Sequence, residues 1–270
     1  MKKSLNSIVL LIFALSVVVP LVWVVMTSFK TGPNILASPW SLPTSLEFVN
    51  YQNAWREAKI GELFLTSLIV TISTIAILLP IGAMAAYVFA KYIFPGSKFL
   101  FGTFLGGMMF PNFLAIVPLF LLMNQLHLQD TKHGLIIVYV AYSLSFTIFI
   151  MTSFFQSVPD ELAEAAMMDG CGHSATFWKV MLPLARPGII VAGIFNAIGI
   201  WNEYNLAKVL VPAKNQTLPL GLANLTTSQF YQSDWGALFA GLVIVMIPVL
   251  AVYWMFREKI HDAMLAGAIK

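Results

Sequence analysis

The stretch LFLTSLIVTISTIAILLPIGAMAAYVFA, residues 63–90, contains no charged side chain. A hydrocarbon core about 30 Å thick is crossed by roughly 20 apolar helical residues, so this stretch is long enough to span a bilayer. Uncharged stretches of similar length also occupy residues 4–29, 99–129, 134–159 and 235–256. The sequence therefore predicts an all-α, polytopic membrane protein.

One more span, the fifth in chain order, is shorter and includes charged residues. Residues 187–202 are uncharged, but a full span to about Leu210 must carry Glu203 and Lys208 near its outer end. The first stretch follows basic residues as a signal peptide does, yet it is too long for an h-region and is interpreted as an uncleaved helix. We therefore expect six transmembrane helices in a single domain that covers residues 1–270.

The composition supports a membrane protein and excludes several other classes. The chain is 59% hydrophobic and only 10% charged, with a mean hydropathy of +0.83, whereas soluble domains are about 45–50% apolar. The single cysteine, Cys171, permits no internal disulfide and no cysteine-based metal site. A net charge of +3 is too small to indicate a nucleic-acid partner, and none is expected.

Lysine and arginine are distributed unevenly between the predicted loops. With the N-terminus inside, nine of them lie on the inner side and six on the outer side. The excess has the sign of the positive-inside rule, so both termini are predicted to be cytoplasmic. The outer face then has two loops, at about residues 30–62 and 211–234, and the inner face has one long loop, at about residues 157–187.

The inner loop reads SVPDELAEAAMMDGCGHSATFWKVMLPLARP. Ser157 and Asp160 fit a capping box, which predicts that a short helix begins there. One helical face is shared by the residues at positions i, i+3, i+4 and i+7, which are Leu162, Ala165, Ala166 and Asp169. Gly170 is placed to end this helix in the left-handed conformation.

A second short helix is predicted in the same loop, with Ser174 as its cap and Pro183 at its end. Together the two helices form a compact helix–turn–helix, in which an apolar knob is expected from Phe177, Trp178 and Met181. The residues alone leave an alternative open, because an amphipathic loop of this kind also suits the surface of a bilayer.

The same loop resembles the EAA signature of binding-protein-dependent ABC importer permeases. The resemblance is carried by Glu164-Ala165-Ala166, Asp169-Gly170, Phe177, Leu182-Pro183-Leu184 and Pro187. In that family the short helix is a coupling helix, which seats in a cleft of the ATP-hydrolysing subunit and transmits its closure to the membrane helices. The resemblance implies that the coupling residues are Glu164, Ala165, Ala166, Asp169, Gly170, Phe177, Leu182 and Pro183. Cys171 replaces the alanine that is common after DG.

Other stretches resemble the carbohydrate branch of these permeases, typified by the maltose and glycerol-phosphate systems. They are SFKT at 28–31, NY at 50–51, AAYVFAKYIFPG at 85–96, WNEY at 201–204, TLPLGL at 217–222 and LAGAIK at 265–270. The chain looks like the shorter, six-helix subunit of a heterodimeric pair in a bacterial or archaeal cytoplasmic membrane. The resemblance implies as partners a second permease, two ATP-binding subunits and an extracytoplasmic solute-binding protein.

The division of labour in that family also fits the sequence. No G-x-x-x-x-G-K-[ST] phosphate loop is present, so ATP and Mg²⁺ are expected on the partner ATPase and no cofactor on this chain. His127 and His133 are predicted outside and His173 and His261 inside, so the four cannot form one metal or catalytic site. The chain is therefore not expected to be an enzyme. In the resembling family the C-terminal tail, here with Gly267 and Ala268, contacts the ATPase subunits.

Polar residues of the fifth span are candidates for the translocation path, because polar groups in hydrocarbon usually face the interior of a bundle. Asn196 and Asn202 are predicted to line the path, with Trp201 and Tyr204 as stacking surfaces for a sugar ring. Glu203 would project about 100° from Asn202 on a continuous helix and is predicted to be a structural or interface residue. Alternatively, Asn202 and Glu203 only form hydrogen bonds to neighbouring helices.

These observations favour a permease subunit of an ATP-driven sugar importer, which forms half of the translocation path and couples to the ATPase through the EAA loop. A permease for another solute, such as a polyol phosphate, would use the same machinery. A secondary transporter or channel that works without ATP is the alternative from a different class, and the EAA loop argues against it. A membrane-embedded enzyme is not supported, because no catalytic constellation can be assembled.

Overall fold

A computed structural model describes residues 2–56, 58–232 and 234–268, and the described residues include helices but no strand. The first helices are α1 Lys2–Thr27, α2 Gly32–Ala37, α3 Val49–Arg56, α4 Ile60–Lys91, α5 Ser97–Met109, α6 Asn112–Gln125 and α7 Lys132–Ser157. They are followed by α8 Glu161–Met168, α9 His173–Thr176, a π-helix at Phe177–Met181, α10 Leu182–Leu184, α11 Arg186–Trp201, α12 Asn205–Leu210, α13 Leu218–Gln232 and α14 Trp235–Ala268. The predicted all-α class is confirmed.

The helices account for the predicted spans in two ways. Among the described residues, four helices are long and apolar enough to cross a membrane, at Asn6–Thr27, Ile60–Lys91, Lys132–Ser157 and Trp235–Glu258. Two bent pairs of helices meet the same criteria together, Ser97–Met109 with Phe113–Gln125 at 104° and His173–Leu184 with Arg186–Trp201 at 74°. By length and composition, the described residues therefore hold four spans, or up to six when each bent pair counts as one.

The third span is not one continuous helix, because it is broken at Phe110 and Pro111. Phe110 ends α5 in an extended conformation, with φ −76° and ψ 125°, and α6 begins after Pro111. A residue that precedes proline is disfavoured in the helical region, and proline has no N–H to donate to the preceding turn. The local chemistry of the Phe110–Pro111 pair therefore breaks the span.

The fifth span was expected to continue as a helix to about Leu210, and this prediction is wrong. The helix α11 ends at Trp201, Asn202 follows with φ −93° and ψ 1°, and α12 begins at Asn205. The Glu203 carboxylate accepts from the backbone N–H groups of Leu206 and Ala207 at 2.7 and 3.0 Å. A carboxylate at this position satisfies donors that the first turn of a helix leaves unpaired, so Glu203 favours a new helix over continuation of the old one.

The chain packs as two compact units, each made of segments that are distant in sequence. One unit consists of the residues up to Leu65 with Leu218–Leu250, and the other of Thr66–Thr217 with the residues after Leu250. The expected single domain over residues 1–270 stays a prediction.

In the first unit, the predicted outer loop 30–62 is held together by buried polar residues. Lys30 is only 2% exposed, and its ammonium donates to the carbonyls of Ser38 and Pro39 at 3.1 and 3.0 Å. The Asn50 amide donates to the carbonyls of Ser28 and Lys30, both at 2.8 Å. Because these donors bind backbone acceptors on both sides of α2, hydrogen bonds help to give the loop a defined shape.

Candidate functional site

The candidate coupling segment, residues 157–187, lies in the second unit, and its first helix is α8. Ala163 and Ala166 form its buried face, with 8% and 7% of each residue exposed. Glu164, Ala165 and Asp169 are exposed. The EAA residues therefore divide between the two faces, because Ala166 packs inward while Glu164 and Ala165 are free to meet another protein.

The end of α8 matches the expectation for Gly170, whose φ is +86°. Its N–H donates to the carbonyl of Met167, and the N–H of Cys171 donates to the carbonyl of Ala166, both at 3.0 Å. These bonds close the helix in the manner of a glycine C-cap. The predicted capping box at the other end is wrong, because the Ser157 hydroxyl donates back to Phe154 at 2.7 Å instead of capping α8.

The second arm of the segment differs from the sequence-based expectation. Gly172, not Ser174, precedes α9, and Pro183 does not end the helical path but lies in the first turn of α10, where its missing N–H costs nothing. The expected apolar knob is also wrong. Phe177 and Met181 are 5% and 0% exposed, and among the three knob residues Trp178, at 46%, is left facing outward.

The inward-facing residues join the coupling segment to the membrane helices. The Phe177 ring lies 5.2 Å from that of Tyr87 in α4 and 6.2 Å from that of Phe155 in α7, measured between centroids. Met181 and Ala163 belong to the same buried cluster. These contacts pack the coupling segment closely against α4 and α7, and a close-packed core transmits strain.

The four residues predicted to line the path from the fifth span differ in burial, and two of them lie in the interior of the chain. Asn196 is 6% exposed and donates to the Thr147 hydroxyl at 2.9 Å and to the Ala192 carbonyl at 2.8 Å. Trp201 is 5% exposed. Within this chain, Asn196 and Trp201 are thus interior residues, which a solute would reach only after a rearrangement.

Asn202 and Tyr204 are more accessible. Asn202 is exposed, and its amide nitrogen donates to the Ile198 carbonyl in its own helix at 2.9 Å. Tyr204 is half-buried, with the Lys208 ammonium 5.5 Å from its ring centroid. Since the helix has ended, the expectation that Asn202 and Glu203 project about 100° apart on one helix does not apply here.

Glu203 connects the broken span to its neighbour α7. The Tyr139 hydroxyl donates to its carboxylate at 2.6 Å, in addition to the two backbone donors of α12. Tyr139 is 1% exposed. Three hydrogen bonds to one half-buried carboxylate link α7 to the start of α12, and the structural role of Glu203 stays a prediction.

A comparison with protein families identifies what kind of chain this is. The family described as binding-protein-dependent transport system inner membrane component matches residues 78–258, which include the whole coupling segment and Glu203. The chain belongs to this family. It is therefore an inner membrane component of a transport system that works with a binding protein, and the family is one of transport proteins.

Relatives of this inner membrane component extend over nearly its full length. It is 43% identical to the permease protein of the diacetylchitobiose uptake system of Streptomyces coelicolor, over 99% of this chain and 89% of the relative. It is 34% identical to the permease protein of the trehalose transport system of Mycobacterium tuberculosis, over 93% and 92% of the two chains.

A solved structure has the same fold. It is the crystal structure of a bacterial ABC transporter involved in the import of the acidic polysaccharide alginate. The TM-score is 0.80 at 25% identity, and the match covers 95% of each chain. The predicted resemblance to sugar ABC importer permeases is thus confirmed.

The predicted tail contact lies at the edge of what is described. The backbone of Gly267 and Ala268 continues α14, and Ile269 and Lys270 lie outside the described residues. The part of the permease that the structure describes holds no group of three or more His, Cys, Asp or Glu side chains placed to bind a metal ion.

Two residues that contact the coupling segment from outside it were not singled out from the sequence. Lys91 and Tyr92, at the end of α4, make polar contacts with Asp160 and His173 of the coupling segment. Both belong to the stretch AAYVFAKYIFPG, which carried the resemblance to the carbohydrate branch. A lysine next to an aromatic residue after an apolar span also suits the membrane interface, so its type alone did not indicate this role.

Proposed function

We propose that this chain is the permease subunit of an ATP-driven carbohydrate importer, in which residues 157–187 couple to ATPase subunits. The observation that carries the proposal is the coupling segment itself. Its exposed face presents Glu164, Ala165 and Asp169, while Ala163 and Phe177 fasten it to the core of the membrane helices. A surface of this kind receives a force from outside the chain and passes it inward.

The rest of the machine is proposed from the family. A second permease completes the path, and two ATP-binding subunits bind ATP and Mg²⁺ and contact the coupling segment and the tail at Gly267 and Ala268. A solute-binding protein delivers its cargo to the outer loops. Both termini are proposed to be cytoplasmic, in the membrane of a bacterium or an archaeon.

The proposed mechanism is alternating access. Closure of the ATPase subunits displaces α8, the aromatic cluster around Phe177 passes the displacement to α4 and α7, and the paired permeases change between outward-facing and inward-facing states. Asn202 is the residue proposed to meet the solute, because an exposed amide both donates to and accepts from sugar hydroxyls.

The proposed cargo is a small oligosaccharide. The two relatives named above belong to an uptake system for diacetylchitobiose and a transport system for trehalose. Both of these sugars are disaccharides. A polyol phosphate would bring a negative charge to the path, and no observation on the described residues favours it. A permease that works without ATP is not favoured either, because the exposed face of its coupling segment would have no ATPase subunit to bind.

The coupling proposal is tested by placing a charge on the exposed face of α8. Ala165→Glu is expected to abolish ATP-dependent uptake and to weaken co-purification of the ATPase, because the residue is exposed and small at a surface proposed to be closely packed. Ala213→Glu, in the exposed predicted outer loop, is the matched control for ATPase association and should leave co-purification of the ATPase unchanged. Unchanged ATPase association in Ala165→Glu would remove α8 from the interface.

The proposed orientation is tested with the single cysteine. Cys171 is half-buried and follows Gly170 in the coupling segment, so a membrane-impermeant maleimide is expected to label it only in inverted or permeabilised membranes. The control is Ala213→Cys in a Cys171→Ser background, which should be labelled in intact cells. Labelling of Cys171 in intact cells would contradict the cytoplasmic placement of the loop.

A further inference from the structure

The end of α4 is fastened to the entrance of the coupling segment by one lysine. Lys91 is the last residue of α4, and its ammonium donates to the Asp160 carboxylate at 2.6 Å and to the backbone carbonyl of Val158. Val158 directly follows α7, and Asp160 directly precedes α8. A single ammonium group therefore joins the ends of three helices.

The next residue of the chain makes a second connection. The Tyr92 hydroxyl lies 3.1 Å from Nδ1 of His173, the first residue of α9. The Tyr92 ring also packs edge-on against Tyr87, at 5.7 Å and 82°. The end of α4 thus contacts both arms of the coupling segment, one on each side of Gly170.

The two partners of the ion pair differ in burial, so Lys91 depends on Asp160 more than Asp160 depends on Lys91. The Lys91 side chain is 8% exposed, whereas that of Asp160 is 74% exposed. A buried ammonium is costly unless it is paired with a carboxylate and fully hydrogen-bonded, so Lys91 cannot release Asp160 and remain where it is. When Asp160 moves with α8, the end of α4 has to follow or lose its counter-charge.

From this arrangement we infer that Lys91 is a positioning residue, which makes α4 move with the coupling segment. The inference rests on the proposed function, since it concerns the path by which ATPase closure reaches the membrane. Without this contact, a displacement of α8 reaches α7 along the chain and reaches α4 only through the apolar cluster around Phe177. With it, α4 is moved directly, although Lys91 and Asp160 are 69 positions apart in sequence.

The mechanical part of the inference is tested by a distance. Spin labels at Ile93→Cys and Met168→Cys, both exposed positions, report the separation of the end of α4 from the end of α8 in a Cys171→Ser background. In the complete transporter this distance is expected to stay the same with and without ATP and vanadate. In Lys91→Met, the distribution of this distance is expected to broaden, and its mean is expected to depend on the nucleotide.

The functional part is tested by ATP hydrolysis in proteoliposomes. Lys91→Met should retain ATPase association and basal hydrolysis but lose the stimulation by the solute-binding protein by about fivefold or more, the size of an ordinary coupling energy. Asp160→Asn keeps the acceptor oxygen and removes the charge, so it should lose less. Lys91→Arg keeps the charge and the donors and should restore stimulation.

The controls separate a positioning role from a general effect of charge or stability. Lys98→Met removes the same charge at an exposed position near the start of α5 and should behave like the unmodified transporter. Asp160→Asn alters an exposed side chain, so it reports on the ion pair even where Lys91→Met fails to fold.

The two possible failures give different results. Normal stimulation and an unchanged label distance in Lys91→Met, with the ATPase bound, would overturn the role of Lys91 and leave the proposed function intact. Absence of the ATPase from the unmodified transporter would instead contradict the proposed function.

Discussion

Replacement of Gly170 by valine is expected to abolish transport and leave the permease in the membrane. Gly170 has φ +86°, where a residue with a side chain costs about 1–2 kcal/mol and a β-branched residue is an outlier. A Cβ atom at this position would meet no surrounding atom within 4 Å, so the penalty arises from the local backbone conformation and not from contacts with the rest of the protein. The end of α8 should unwind and change the direction in which α9 follows.

The matched control lies two residues away. Gly172 is also exposed, and a Cβ atom added there would also meet nothing within 4 Å, but its φ is −71°, which any residue adopts. Gly172→Val should therefore retain most of the transport that Gly170→Val loses. The measurements are ATP-dependent uptake and the amount of permease in the membrane. Equal activity of the two variants would show that the turn conformation at Gly170 does not matter for coupling.

Removal of the Glu203 carboxylate is expected to have the largest effect on assembly. In Glu203→Ala, the hydroxyl of Tyr139, which is 1% exposed, loses its acceptor, and so do the N–H groups of Leu206 and Ala207. One buried donor left unsatisfied costs about 1–3 kcal/mol, and a lost acceptor at a helix start costs about 1 kcal/mol more. Membrane levels and thermal stability in detergent should both fall.

The neighbouring residue provides the contrast. Asn202 is exposed and its amide nitrogen bonds to Ile198 in its own helix, so Asn202→Ala should assemble normally. If Asn202 lines the path, this variant should transport less and change its preference among sugars, with binding-protein-stimulated ATP hydrolysis retained. Normal levels of Glu203→Ala would contradict its structural role, and unchanged uptake and selectivity in Asn202→Ala would move the solute contact to other residues.

The sequence predicted the features whose causes are local or come from the solvent. The long span at residues 63–90 appears as part of the helix Ile60–Lys91, because the thickness of the bilayer sets a length that composition alone can match. Gly170 was predictable because a left-handed helix end is a property of one residue and its two neighbours. The break at Pro111 was also predictable, because proline restricts the backbone conformation of the residue before it in any surroundings.

The tertiary structure decided which residues of the coupling segment face inward and what holds them. Phe177 and Met181 were expected outside and lie in the core, because the rings of Tyr87 and Phe155 from distant helices meet them there. Asp160 fits a helix cap in the local pattern but pairs with Lys91 instead. Local sequence sets the type and ends of a helix, but its buried face and its ion pairs depend on which distant segments pack beside it, because burial and Coulomb attraction act through space and not along the chain.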